Sequence, residues 1–206
     1  MNFNIKNISL ISGSLRKDSF NTKVLRNIEK EIIVQGLTTT FVDLNDFPIP
    51  FYNEDIELQA IPINVLKLKD ILQSSSGLIV SSPEYNGEIS AVLKNMFDWL
   101  SRKSVNGIPK KNFLDLKTIV VGVSIGKNGA KRSLERLHVL LGNLGVNKDI
   151  LSYSLAKASN DIFDNRGNLL IDEEIIIIKD LIANYLSSAD FLNDKLENLN
   201  KKVIQN

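Results

Sequence analysis

Ile8-Ser9-Leu10-Ile11-Ser12-Gly13-Ser14-Leu15-Arg16-Lys17-Asp18-Ser19-Phe20-Asn21-Thr22 runs from a short apolar segment through one glycine and a cluster of hydroxyls into a helical pattern. The same transition recurs along the chain. Apolar runs at 8–12, 39–42, 77–81 and 118–124, with a weaker one at 150–155, are bounded by turn residues and read as strands buried on both faces. Helical patterns lie between and after them at 21–34, 63–74, 91–100, 131–144 and 172–187. Five strand–helix alternations predict right-handed crossovers and an α/β, doubly wound fold with a parallel sheet. In such sheets ligands sit at the carboxyl ends of the strands, where strand order reverses. The segments that follow each strand therefore matter most.

Composition narrows the chemistry. The 206 residues are 43% hydrophobic, enough for one domain with a sizeable core, expected over 1–188. The 25 basic and 24 acidic residues nearly cancel, so nucleic acid is not an expected partner. There is no cysteine, which excludes disulfides, thiolate metal ligation and a cysteine nucleophile. No metal site is expected, and redox chemistry would require a bound cofactor. No signal peptide or membrane span is read, and a soluble cytoplasmic protein is the expectation.

In the first loop, Ser14, Ser19, Asn21 and Thr22 offer hydrogen bonds and Arg16 a charge, at a helix start whose amides would face an anion. The alternative is an ordinary N-cap by Asp18 or Ser19 with nothing bound. The single glycine excludes the Gly-x-Gly-x-x-Gly fingerprint of dinucleotide domains. Gly122-Val123-Ser124-Ile125-Gly126-Lys127-Asn128 is one residue short of a P-loop and has Asn where Ser or Thr must hold magnesium.

After the third strand comes Ser82-Pro83-Glu84-Tyr85-Asn86-Gly87-Glu88-Ile89-Ser90, followed by the helical Ala91 to Arg102 segment. Pro83 fixes the backbone, Gly87 permits close approach, and Tyr85 offers a flat face with a polar tip. The loop could hold a planar ring. The alternative is a plain strand-to-helix turn with a surface tyrosine. Leu93, Phe97 and Trp99 are read as core.

Gly13-Ser14-Leu15-Arg16 with Ser19 and Asn21, then Pro83-Glu84-Tyr85-Asn86-Gly87 and Leu93-Lys94-Asn95 ahead of Asp98-Trp99, resemble the paired signatures of the NADPH-dependent FMN reductase family, which includes bacterial chromate, quinone and azo-dye reductases. The similarity runs from about residue 7 to 145 and takes in Asp43-Leu44, Pro48, Pro50 and the loop from Gly126 to Arg132. It implies a flavodoxin-like three-layer fold with a five-stranded parallel sheet. It further implies that Ser14, Arg16, Ser19, Asn21 and Thr22 bind the FMN phosphate, that Pro83, Glu84, Tyr85, Asn86 and Gly87 line the isoalloxazine, largely through backbone amides, and that Ser124 and Gly126 flank its pyrimidine side. Lys94, Asn95 and Asp98 would brace the loop. Two positions depart from the pattern: Ser90-Ala91 replaces Pro-Gly, and Gly129-Ala130 replaces Gly-Gly.

By this resemblance the chain is an NAD(P)H-dependent reductase working by ping-pong hydride transfer, with FMN as cofactor and NADPH or NADH as co-substrate. No side chain is needed as a catalytic group, because flavin N5 carries the chemistry. Backbone amides near Ser124 and Gly126, or a nearby cation, would stabilise charge at N1 and O2. The acceptor would be a small molecule: a quinone, free flavin, an azo compound or a metal oxyanion. The alternatives are a flavodoxin-like electron carrier, which a net charge of +1 fits poorly, and a flavin-free interaction module.

His138, the only histidine, lies in a helical stretch away from both loops and is read as structural. Arg102 and Arg132 each follow a motif segment and are read either as solvated or intersubunit charges or as candidates to reach the flavin or the nicotinamide phosphates. The resemblance implies a homodimer or homotetramer, with Phe51, Tyr52 and the Leu100 region as apolar contacts. The tail at 189–206, with Leu192, Leu196 and Leu199 at helical spacing, is read as a terminal helix or a frayed end.

Overall fold

A computed structural model describes residues 6–102, 116–146 and 150–187. The tail at 189–206 and its leucines lie outside the described residues. The elements are β1 (Asn7–Ser12), α1 (Phe20–Val34), β2 (Thr38–Asp43), α2 (Glu54–Gln59), α3 (Ile63–Gln73), β3 (Gly77–Ser82), α4 (Ala91–Leu100), β4 (Lys117–Val123), α5 (Lys131–Asn143), β5 (Leu151–Leu155) and α6 (Asp172–Leu186). Every anticipated strand and helix is present. The short α2 was not anticipated: it spans six residues, buries none of them, and leaves no periodic apolar trace.

All strand pairs are parallel, in the order β2-β1-β3-β4-β5. Alternate side chains of the central strands feed two cores. Leu78, Val80 and Val120 pack under α3, α4 and α5 with Val65, Leu68, Met96, Phe97 and Leu137. Ile8, Leu10, Ile79, Ile119 and Val121 pack under α1 and α6 with Val24, Ile28, Ile178 and Tyr185. The double burial explains why β3 and β4 read as continuous apolar runs, while the edge strand β5 alternates and reads weakly. Gly77 has no side chain because the Tyr185 hydroxyl occupies that space.

The chain leaves β1 towards one face, into α1, and leaves β3 towards the other, into α4. Strand order reverses between these two neighbours, so a crevice opens above their carboxyl ends. Both motif loops start there.

Candidate active site

The first loop is built around Gly13. Its amide donates to the Ser81 carbonyl at 2.8 Å, and its own carbonyl accepts from Ser90 Oγ at 2.6 Å. A Cβ at Gly13 would stand 2.7 Å from the Ser81 oxygen, so only glycine fits between the two strand ends. The two motif loops are thus joined at their roots, and a ligand over one is within reach of the other.

Beyond Gly13, Ser14 and Ser19 are nearly buried while Arg16 is exposed. Ser19 is the N-cap of α1, with Oγ accepting from the Thr22 amide at 3.3 Å, and no acidic residue stands in the first helical turn. The Ser14 and Ser19 hydroxyls, Arg16 and the start of α1 thus lie within one short loop, a donor set suited to a phosphate. Two residues read as phosphate donors are used differently by their side chains. Asn21 Nδ2 donates to the Val123 carbonyl at 3.1 Å and Asn21 Oδ1 accepts from the Val123 amide at 3.2 Å, which pins α1 to the end of β4. Thr22 Oγ1 shares a 2.8 Å hydrogen bond with Ser12 Oγ. Both side chains brace the loop from behind.

The second loop is a tight turn. Tyr85 and Glu88 exchange backbone hydrogen bonds of 3.1 and 3.0 Å, and both central residues are left-handed, Asn86 at φ 55° and Gly87 at φ 80°. Asn-Gly is the pair that adopts this conformation most readily. Pro83 is buried behind the turn, and Tyr85 is 51% exposed beside it. Ser82 Oγ donates to the Pro83 carbonyl at 2.9 Å and accepts from the Ser90 amide at 3.2 Å. Ser90 also caps α4 through the Leu93 amide, as its position predicts, but its tie to Gly13 was not read from the sequence.

The Glu84 side chain reaches the start of α5. Its Oε2 accepts from the amides of Arg132 at 3.1 Å and Ser133 at 3.3 Å, at the start of α5. That helix has no capping side chain of its own, because Ala130 holds the N-cap position in a left-handed conformation. A carboxylate placed on these amides satisfies two of them and opposes the helix dipole. The missing local cap at Ala130 is the sequence signal that a distant acid would be needed.

The third loop is held by the segment after β5. Ser124 donates its amide to the Leu155 carbonyl, Ala158 donates to Ser124, and the left-handed Lys157 donates to Gly126, at 2.9 to 3.1 Å. The Gly129 carbonyl accepts from Ser154 Oγ at 2.8 Å. Of the two candidate arginines, only Arg132 lies at the ring loop, with its Cδ 3.5 Å from the place a Gly87 Cβ would take. Arg102 stacks on Tyr52 at 5.1 Å instead. His138 hydrogen-bonds Ser152 at 3.2 Å, outside the three loops. Lys94 pairs with Asp98, and Asn95 ties Tyr52 and Pro50, which fits a bracing role. Leu100 is 1% exposed and belongs to the core, so it offers no surface contact.

The site thus combines a hydroxyl-rich helix start, an exposed aromatic turn and a third backbone loop on one sheet edge, and this fits FMN: a phosphate at one end and a planar ring at the other. The chain matches the family described as NADPH-dependent FMN reductase over residues 7–159. It is 30% identical over 163 residues to an NAD(P)H-dependent FMN reductase of Pseudomonas aeruginosa, covering 79% of this chain and 84% of that one. It is 32% identical over 197 residues to an NADPH:quinone oxidoreductase of Arabidopsis thaliana, covering 92% and 93%. Among solved structures, the flavoenzyme NAD(P)H:acceptor oxidoreductase of Paracoccus denitrificans superposes with a TM-score of 0.73 at 25% identity, covering 88% and 96% of the two chains. The matched family and these relatives are reductases, and the chain belongs to the NADPH-dependent FMN reductase family of flavodoxin-like oxidoreductases that use FMN with NAD(P)H.

Proposed function

We propose that this chain holds FMN in the β1/β3 crevice and passes electrons from NAD(P)H to a small acceptor of the quinone type in two half-reactions. The joined roots of the two loops, through Gly13, Ser81 and Ser90, are the observation that carries this reading. FMN, when bound, would supply the redox chemistry, hydride transfer between the reduced nicotinamide and the acceptor. Ser14, Ser19 and Arg16 hold the phosphate, with Asn21 and Thr22 setting the loop. Pro83, Tyr85, Asn86 and Gly87 shape the ring's seat, while Glu84 fixes that seat to α5. The Ser124 to Gly126 backbone borders the pyrimidine side and steadies charge there.

Both substrates use the same open ring face, so they bind in turn. Quinones, free flavin and azo compounds all meet that requirement, and a planar quinone matches the flat seat beside Tyr85 best. The enzyme works in the cytoplasm as a homodimer or homotetramer. Among the described residues no helix is long and apolar enough to cross a membrane, and Phe51 at 80% and Val139 at 61% exposure supply apolar contact surface.

Anaerobic absorbance spectroscopy of the purified protein tests the reading. A flavin band that bleaches with NADPH and returns with a quinone supports it; a colourless protein whose melting temperature FMN does not raise refutes it.

A further inference from the structure

We propose that Arg132 reads the 2′-phosphate of NADPH and makes this reductase prefer NADPH to NADH; this rests on the flavin seat described above. The arginine is held in place from behind. Glu84 binds its backbone amide and that of Ser133, so the first turn of α5 is fixed to the residue next to Tyr85. Its side chain lies along the tip of the ring turn, with Cδ and one terminal guanidinium nitrogen 3.5 and 3.9 Å from the Cβ position of the left-handed Gly87.

The guanidinium is exposed, and the nearby acids are engaged elsewhere. Glu84 is committed to the helix amides, and Glu88 pairs with Arg136 at 3.1 Å. Among the described residues no carboxylate meets the Arg132 guanidinium. The segment from Ser124 to Arg132 carries Lys127, Lys131 and Arg132 and no acid, so the local field favours an anion at the mouth of the seat. A dinucleotide that lays its nicotinamide on the ring must cross this mouth. Its diphosphate is common to both co-substrates, and only the 2′-phosphate distinguishes them. A planar guanidinium pairs with such a phosphate through two parallel hydrogen bonds.

The test uses the FMN-loaded full chain and compares wild type, Arg132→Ala and Arg132→Lys. The wild type should favour NADPH in kcat/KM. Arg132→Ala should cut the NADPH-to-NADH ratio by about tenfold or more, through KM and not kcat, and Arg132→Lys should restore part of it. Binding of 2′,5′-ADP, followed by calorimetry, should weaken in Arg132→Ala while binding of 5′-ADP does not. Equal losses for both co-substrates would assign the guanidinium to the shared diphosphate or the ring and overturn the proposal, as would no change in the ratio. If the wild type takes up no FMN, the flavin seat itself is refuted, and the two ADP probes, which need no flavin, still decide on Arg132.

Discussion

Asn21 and Val123, separated by 102 residues, exchange two buried hydrogen bonds, Nδ2 to the carbonyl at 3.1 Å and the amide to Oδ1 at 3.2 Å. A side chain here completes what a neighbouring strand would otherwise supply, at the point where β4 ends. The loop after β1 is thereby fastened to the loop after β4.

Removing that fastening is costly. Asn21→Ala leaves a buried donor and a buried acceptor without partners, and should lower stability by about 2–3 kcal/mol in urea denaturation. Asn21→Asp keeps an acceptor for the Val123 amide but sets a second carboxylate oxygen against the carbonyl. It should cost a similar amount and, by placing negative charge behind the phosphate loop, also weaken FMN binding. Equal FMN affinity in Asn21→Asp and Asn21→Ala would contradict that electrostatic effect.

Ser90 acts on both motif loops through one hydroxyl, donating to Gly13 at 2.6 Å and accepting from Leu93 at 3.4 Å. Ser90→Ala should lose about 1–2 kcal/mol of stability. Because the lost bond holds the root of the phosphate loop, FMN affinity should fall severalfold in fluorescence titration of the apoprotein. An unchanged affinity alongside reduced stability would limit Ser90 to helix capping.

Ala130 is a buried alanine at φ 58°. Left-handed geometry costs an L-residue about 1–2 kcal/mol, which glycine avoids. Ala130→Gly gives up about 0.8 kcal/mol of methyl burial and about 0.5–1 kcal/mol of chain entropy. These effects nearly cancel, so Ala130→Gly should be within about 0.5 kcal/mol of wild type. Ala130→Val, β-branched and left-handed, should lose about 2 kcal/mol or more. Thermal unfolding of the two variants checks the contrast.

Tyr153 and Tyr185 set the alkaline limit. Burial pushes both phenols far above their ordinary range, and the hydrogen bond from Tyr153 to Glu174 raises the former further. In the unfolded chain they ionise near pH 10. The folded state favours the neutral phenols, so their contribution is intact below about pH 10 and falls above it, by up to about 1.4 kcal/mol per pH unit for each tyrosine. Urea midpoints measured from pH 8 to 11 should stay level and then drop. Tyr185→Phe should shift the whole curve down through its lost bond to the Lys117 carbonyl, while making the alkaline drop shallower.

Strand and helix positions were legible because burial on both faces leaves unbroken apolar runs, as at Leu78-Ile79-Val80 and Ile119-Val120-Val121. The loops were legible as motifs for a different reason: Gly13, Pro83 and the Asn86-Gly87 pair have backbone requirements that few other residues meet. What each polar side chain touches was not legible. The side chains of Asn21 and Glu84 hold neighbouring backbone, and their partners at Val123 and Arg132 come from a strand and a helix far along the chain. The Leu100 region reads in the sequence as an apolar contact, and Leu100 itself lies in the core because α4 packs that face inward. The departure at Ala130 is visible in the sequence, and the backbone there is left-handed, the conformation that glycine adopts without cost.

The braces also impose an order in time. Gly13 waits only for Ser81 and Ser90, but Asn21 waits for Val123 and Glu84 for Arg132, so the seat as a whole cannot mature before β4 and α5 have been synthesised and docked. Contacts this distant form slowly, after local helices. A nascent chain that stops short of residue 133 would therefore carry both motifs in full and still lack a place for the cofactor to land.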